Sequence, residues 1–171
     1  IRERSCELII VRGTKVGNNI LTTLSYEKIR QYYTAGHWKD DTLYTLVRDR
    51  AIATPNHFAL RDSNRSVSYG QLAEAVERFA HDLNEKGVKS GQRVAVWLSS
   101  RLETAVVVLA CSRNGLVCCP SLHRNHTAEE VLLLMTRMNA AAFIGEEGYG
   151  ANLELVDIYD KLNTVSTLKA V

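Results

Sequence analysis

Apolar and polar positions along this chain fall into two alternating rhythms, one helical and one extended. From Ser68 the stretch YGQLAEAVERFAHDLNEKG sets Leu72, Val76, Phe79 and Leu83 on one helical face, and Gly87 supplies the stop. RVAVWL (Arg93 to Leu98) is almost continuously apolar, which predicts a strand buried on both faces. Glu103 to Asn114 then reads as a buried helix ending at Gly115, and LVCCP as a short strand closed by Pro120. Thr127 with Glu130 three positions on forms a capping box, which predicts a helix through Met138, and AAAFIG is another strand ending at Gly145. Leu153 to Leu162 is expected to form a further helix, and Thr164 to Val171 to open one more strand.

The upstream part follows the same logic with shorter elements. Ser25 is an N-cap before YEKIRQYYTAG, where Tyr26, Ile29 and Tyr33 recur at helical spacing up to Gly36. A second helical pattern starts at Asp41, carries Leu43, Leu46 and Val47, and is stopped by Thr54-Pro55, since proline disfavours a helical residue before it. HFALRD and RSVSY flank the turn residues Asp62-Ser63-Asn64 and read as a β-hairpin. Ser5 to Val11 reads as a short strand, followed by a linker around Gly13, Gly17, Asn18 and Asn19.

Strand and helix in alternation predict an α/β fold: a mainly parallel sheet with helices on both faces, built from right-handed crossovers. With 171 residues there is room for one ordinary core, and 46% hydrophobic against 23% charged residues argues against wholesale disorder. The formal charge of +2 is too small and too evenly spread to make a phosphate-backbone footprint, so nucleic acid is not expected as a partner. The richest apolar run, Ala105 to Cys111, is cut by Ser112, Arg113 and Asn114 and cannot span a membrane. No secretory signal is visible, and a start at Ile1 rather than Met points to sequence missing or processed upstream. The 4 cysteines, Cys6, Cys111, Cys118 and Cys119, have no regular spacing, which favours a reducing, cytoplasmic location.

Candidate chemistry is sparse. GYGANL (Gly148 to Leu153) superficially matches a dinucleotide fingerprint, but Leu153 stands at the third glycine position and no ribose-holding acid follows, so a glycine-bearing turn is the better reading. Lys89-Ser90 lacks the glycine a phosphate loop needs, because Val88 stands there. Cys118, Cys119, His123 and His126 are four metal-ligand types in one segment, yet adjacent strand residues point to opposite faces, so buried cysteines are preferred to a metal site. Glu146-Glu147 are read as exposed turn acids rather than a catalytic pair. Tyr32, Tyr33 and Trp38 are read as packing the N-terminal helix on the sheet rather than as an aromatic contact surface.

A series of short motifs in fixed order adds a resemblance. VSYGQL (Val67 to Leu72) is similar to the first core motif of the AMP-forming acyl-CoA synthetases, members of the adenylate-forming superfamily. LACSRNGLVCCPSL (Leu109 to Leu122) resembles the second, and Thr54-Pro55, Gly87, Gly91 to Ala95 and Thr127 to Val131 fall in the matching order. The likeness runs from about Tyr26 to about Ile144, and YYTAGHWKDDTL resembles the entry of the subgroup activating medium-chain, cyclic or aromatic acids.

This resemblance implies an incomplete, N-terminal portion of the large domain of an adenylate-forming enzyme: residues 1–25 as an extension and 26–171 as the N-terminal part of the adenylation domain. The parent would use ATP, magnesium and coenzyme A to turn a carboxylic acid into an acyl-adenylate and then a thioester. The family's phosphate loop, adenine motif, ribose-binding aspartate and C-terminal lysine match nothing here, so no catalytic or metal-binding residue is assigned and none of the three cofactors is expected to bind this chain tightly. Tyr69, Gly115 and Pro120 match as structural residues. Arg124 and Asn125, in the turn LHRNH, are the only cofactor-binding candidates, on the coenzyme A side, set against a plain solvated loop. Some relatives hold the 3′-phosphate of coenzyme A with arginines where Gly150 and Leu153 stand here. The alternative is a non-catalytic α/β binding or interaction module that keeps this scaffold and associates with another protein through its exposed sheet edge, an edge that also invites self-association.

Overall fold

Strand β3 (Arg93–Trp97) is apolar at consecutive positions because both of its faces are covered and both of its edges are paired. The computed structural model describes residues 25–120, 123–152 and 156–171. The strand expected over Ser5 to Val11 and its linker lie outside the described residues. The chain divides into two compact units, Ile1–Asp40 and Asp41–Val171.

In the first unit, α1 (Tyr26–Thr34) begins where the Ser25 hydroxyl accepts the Lys28 N–H at 3.3 Å. Tyr32 and Tyr33 at its end pack their rings on Trp38, with centroids 5.1 and 5.9 Å away.

In the second unit, α2 (Leu43–Ala53) is capped reciprocally by Thr42 and Thr45 and ends before Pro55. The expected hairpin is present as β1 (Phe58–Arg61) paired antiparallel with β2 (Ser66–Ser68). Helix α3 (Tyr69–Glu85) starts in a capping box between Ser68 and Gln71. Its buried face, Leu72, Val76, Ala80 and Leu83, packs with α2, the hairpin and α4 (Leu102–Asn114).

Two parallel neighbours flank β3: β4 (Val117–Cys119) on one side and β5 (Ala140–Gly145) on the other. Because parallel crossovers keep one hand, connections leaving in opposite directions must run over opposite faces. The packing agrees: Val94 and Val96 meet Val107 and Cys111 of α4, whereas Ala95 and Trp97 meet Val131 and Met135 of α5 (Ala128–Arg137). The capping box read from Thr127 and Glu130 opens α5 as expected.

A bulge on β5 reconciles these faces with the sequence. Arg93 pairs with Ala140 but Val94 pairs with Ala142, so Ala141 is an extra residue on β5. After it, Phe143 shares a face with Ala95 and Ile144 with Val96, and three successive alanines fill the tight interior beside the bulge.

The last two expected elements are different. In place of a helix over Leu153 to Leu162, a 3-10 helix covers Tyr159–Thr164, with residues 153–155 outside the described residues. Asp157 accepts the Tyr159 N–H at 2.9 Å, a local side-chain turn that competes with regular helix. In place of a strand over Thr164 to Val171, only Ala170 forms a parallel bridge, to Ala142. A turn at Ser166-Thr167 and the Thr167 hydroxyl bond to the Ala140 carbonyl, 2.7 Å, take up the chain that pairing would need.

Gly115 ends α4 in the left-handed conformation (φ 66°), and a Cβ there would sit 2.7 Å from the Ser90 hydroxyl oxygen. Gly115→Ala is expected to lose about 1–2 kcal/mol in urea unfolding, the penalty of a side chain in that conformation. Most of that loss should persist in a Ser90→Ala background, which removes the contact and leaves the backbone strain; full recovery would assign the cost to the contact alone.

Candidate functional site

In an open parallel sheet, ligands bind outside the carboxyl ends of strands whose connections depart to opposite sides. Here that point lies between β3 and β5, and a cleft of about 240 Å³ opens there, lined by Trp97, Tyr149, Tyr159, Glu146, Glu147 and Asp157 among others.

Trp97, the last residue of β3, is 2% exposed and anchors three loops. Its indole N–H donates to the His123 carbonyl at 3.0 Å, and its ring meets Tyr149 edge-on at 5.9 Å. Its backbone carbonyl accepts the Glu146 N–H at 3.2 Å. Gly150 lies flat against the indole: a Cβ there would be 2.6 Å from two ring carbons, and its φ of 144° already excludes most side chains. An arginine at this position is therefore incompatible with Trp97. The glycine reading of GYGANL holds, and its reason is this packing.

Beyond Trp97 the chain turns through Ser99 to Arg101, where a line of charged groups begins. The Glu146 carboxylate accepts the Ser99 N–H at 2.8 Å and pairs with the Arg101 guanidinium at 3.2 Å. Arg101 also bonds Glu103 at 2.8 Å, and Glu103 pairs with Arg65 of the hairpin. Asp62 completes the line by accepting backbone N–H groups of Asn64 and Arg65, each at 2.9 Å, and of Leu102 at 3.2 Å. Hydrogen bonding from Ser99, then the Arg101 charge, holds the Glu146 carboxyl below the usual range. The Asn64 and Arg65 N–H groups do the same for Asp62. Burial first, and then the charges of Asp157, Glu147 and Glu146, push the Tyr159 phenol up.

The candidates from sequence fall around this cleft unevenly. Arg124 and Asn125 are both exposed at the tip of a turn closed by His126 N–H to His123 carbonyl, 3.1 Å. The base of that turn is held by the Trp97 indole and by the Ala151 N–H on the His126 carbonyl at 3.0 Å. Cys118 pairs with Val94 and Cys119 with Ala95, so the two thiols face opposite sides of the sheet. His123 and His126 stack on each other at 6.1 Å. Among the described residues no three His, Cys, Asp or Glu side chains form a group able to hold a metal. Glu147 is an exposed turn residue as expected, but Glu146 is not: it is tied to Ser99 and Arg101. Asp62, Ser99 and Arg101 were missed, although their position after a turn or a strand end was visible.

The donor set does not fit a polyphosphate. Glu146, Glu147 and Asp157 line the cleft, and the charge of Arg101 is already countered by Glu103 and Glu146.

Comparison with known families matches residues 47–170 to the AMP-binding enzyme family. The chain belongs to the AMP-binding enzyme family. It is similar to the medium-chain fatty-acid–CoA ligase of Escherichia coli K12, 32% identical over 120 residues, covering 68% of this chain and 21% of the relative. It is also similar to pyochelin synthase PchD of Pseudomonas aeruginosa, 28% identical over 122 residues, 70% of this chain and 22% of the relative. Among solved structures, apo MbtA from Mycobacterium smegmatis aligns with a TM-score of 0.61 and 29% identity, over 71% of this chain and 23% of that one. The chain thus spans about a fifth of the length of these AMP-binding relatives. The parallel sheet with its helices is the architecture shared with adenylate-forming structures.

Two measurements test the site. Gly150→Ala should cost about 1–3 kcal/mol, the range for overpacking, and should red-shift the Trp97 emission in a Trp38→Phe background; an unshifted spectrum would contradict the close approach. Because Glu146 titrates below its unfolded value, its stabilisation is complete above the ordinary carboxylate pKa and is lost as pH falls through the lowered one. Glu146→Gln should therefore flatten the acid limb of stability against pH; an unchanged slope would contradict the Ser99 and Arg101 bonds.

Proposed function

We propose that this chain is the amino-terminal part of an AMP-forming acyl-CoA synthetase, an acid–thiol ligase that activates a fatty, cyclic or aromatic carboxylic acid with ATP and passes the acyl group to coenzyme A. The observation that carries this reading is the family match over residues 47–170, joined to the 32% identity with a medium-chain fatty-acid–CoA ligase. In this reading residues 1–25 are an extension and 26–171 the first part of the adenylation domain. On the same reading the chain alone does not adenylate: the cleft at the strand ends is lined by carboxylates, and among the described residues the Arg101 guanidinium beside it is already paired.

ATP and magnesium would be held by other parts of the parent, where bound magnesium and cationic groups offset phosphoryl charge. This chain's contribution is on the thiol side. Arg124 and Asn125, exposed on a turn whose base is fixed by Trp97, offer a guanidinium and an amide suited to a phosphate or pantetheine group of coenzyme A. Gly150 cannot be replaced by a phosphate-binding arginine, so a 3′-phosphate would be held elsewhere than on the 148–152 loop. The thiols of Cys111, Cys118 and Cys119 are free, which suits a reducing cytoplasm, and no described helix is long and apolar enough to cross a membrane. β4 pairs only with β3 among the described residues, and its outer edge is the surface by which copies would self-associate.

Carboxylate-dependent pyrophosphate exchange tests the reading. The parent protein should show exchange and this chain none; turnover by the chain alone would contradict its role as a part. A parent without exchange would favour a non-catalytic module. In the parent, Arg124→Glu should raise the KM for coenzyme A about fivefold, the effect of ~1 kcal/mol, relative to exchange measured without coenzyme A. An unchanged KM would make Arg124 a solvated loop residue.

A further inference from the structure

We propose that Cys111 and Cys118 form a reversible disulfide that fastens the carboxyl end of α4 to β4. This inference is independent of the ligase reading. Cys111 is 1% exposed on the sheet-facing side of α4, inside the cluster that also holds Val94, Val96 and Val107. Cys118 pairs directly with Val94, so its side chain shares the α4-facing side of the sheet, and it packs against the same cluster. The two thiols therefore meet across the layer between helix and strand. Cys119 points to the other face. The connection is short and fixed: Gly115 turns the chain, and the Leu116 N–H bonds the Cys111 carbonyl at 2.9 Å.

The pair is chemically asymmetric. Hydrogen bonding between the thiols holds Cys118 below the ordinary thiol range and pushes Cys111 up, with burial adding to the rise. Cys118 is half-buried whereas Cys111 is buried, so the thiol that ionises more readily belongs to the more exposed residue of the two. With a low-molecular-weight disulfide such as oxidised glutathione as oxidant, the Cys118 thiolate attacks one sulfur and releases one glutathione thiolate. Cys111 then loses its proton and attacks the Cys118 sulfur, releasing the second glutathione. Two protein thiols become one disulfide and one oxidised glutathione becomes two reduced molecules, so electrons and protons balance. The product fastens the strand that leads into the turn bearing Arg124 and Asn125.

Trypsin cutting after Arg113 makes the link readable, because it separates the peptide of Cys111 from the peptide of Cys118 and Cys119. The full chain, carrying Cys6→Ser, is treated with oxidised glutathione and mapped by mass spectrometry. The expected result is a linked pair of peptides that persists in Cys119→Ser, is lost in Cys118→Ser, and disappears with dithiothreitol. A link made through Cys119, a stable glutathione adduct on Cys118 beside a free Cys111, or three thiols that stay reduced would each overturn the proposal.

Discussion

The structure depends on one strand being hydrogen-bonded along both edges and buried on both faces. β3 has β4 and β5 for neighbours, α4 over one face and α5 over the other, and consecutive buried residues at Val94, Ala95, Val96 and Trp97. Water is excluded from these residues, so their backbone groups must find partners within the protein, in the sheet or, for the Trp97 carbonyl, at the Glu146 N–H. The hand of the crossovers then sends α4 and α5 to opposite faces, and a cleft at the strand ends follows from topology.

Trp97 converts that topology into a site. It ends the central strand, and its indole N–H, ring face and carbonyl each engage a different loop segment: the His123–His126 turn, the Tyr149-Gly150 bend and the start of the loop after β5. The line of charges from Asp62 through Arg65, Glu103 and Arg101 to Glu146 ties the hairpin to the same corner. Partly exposed ion pairs of this kind contribute little each, and their main effect is to fix the direction of the Ser99–Arg101 loop. The corner is acidic rather than basic, because Glu146, Glu147 and Asp157 line the cleft and Arg101 is paired with Glu103 and Glu146.

Much of this was legible in the residues. The helical face of Leu72, Val76 and Leu83, the capping boxes at Ser68 and Thr127, and the unbroken apolar run of β3 each state a local preference that packing endorses. The order of the motifs along the chain points to the family. The helix expected over Leu153 to Leu162 and the strand expected over Thr164 to Val171 give way to other structure, since Asp157 and Thr167 spend their side chains on backbone bonds that compete with helix and strand. The site was hidden for a different reason. Glu146 resembles any turn acid until the fold places Ser99 and Arg101 beside it across a sequence gap of more than forty residues, and Gly150 resembles any turn glycine until Trp97 lies on it. Spacing along a chain carries no record of such meetings.

Native-state hydrogen exchange of the backbone amides tests the central place of β3 most directly. The slowest amides should be those of Val94 to Trp97 with Ala142 to Ile144, opening only when the Asp41–Val171 unit unfolds globally, while the β1–β2 hairpin exchanges through smaller openings. Amides of β3 that exchange as fast as those of the hairpin would contradict the account.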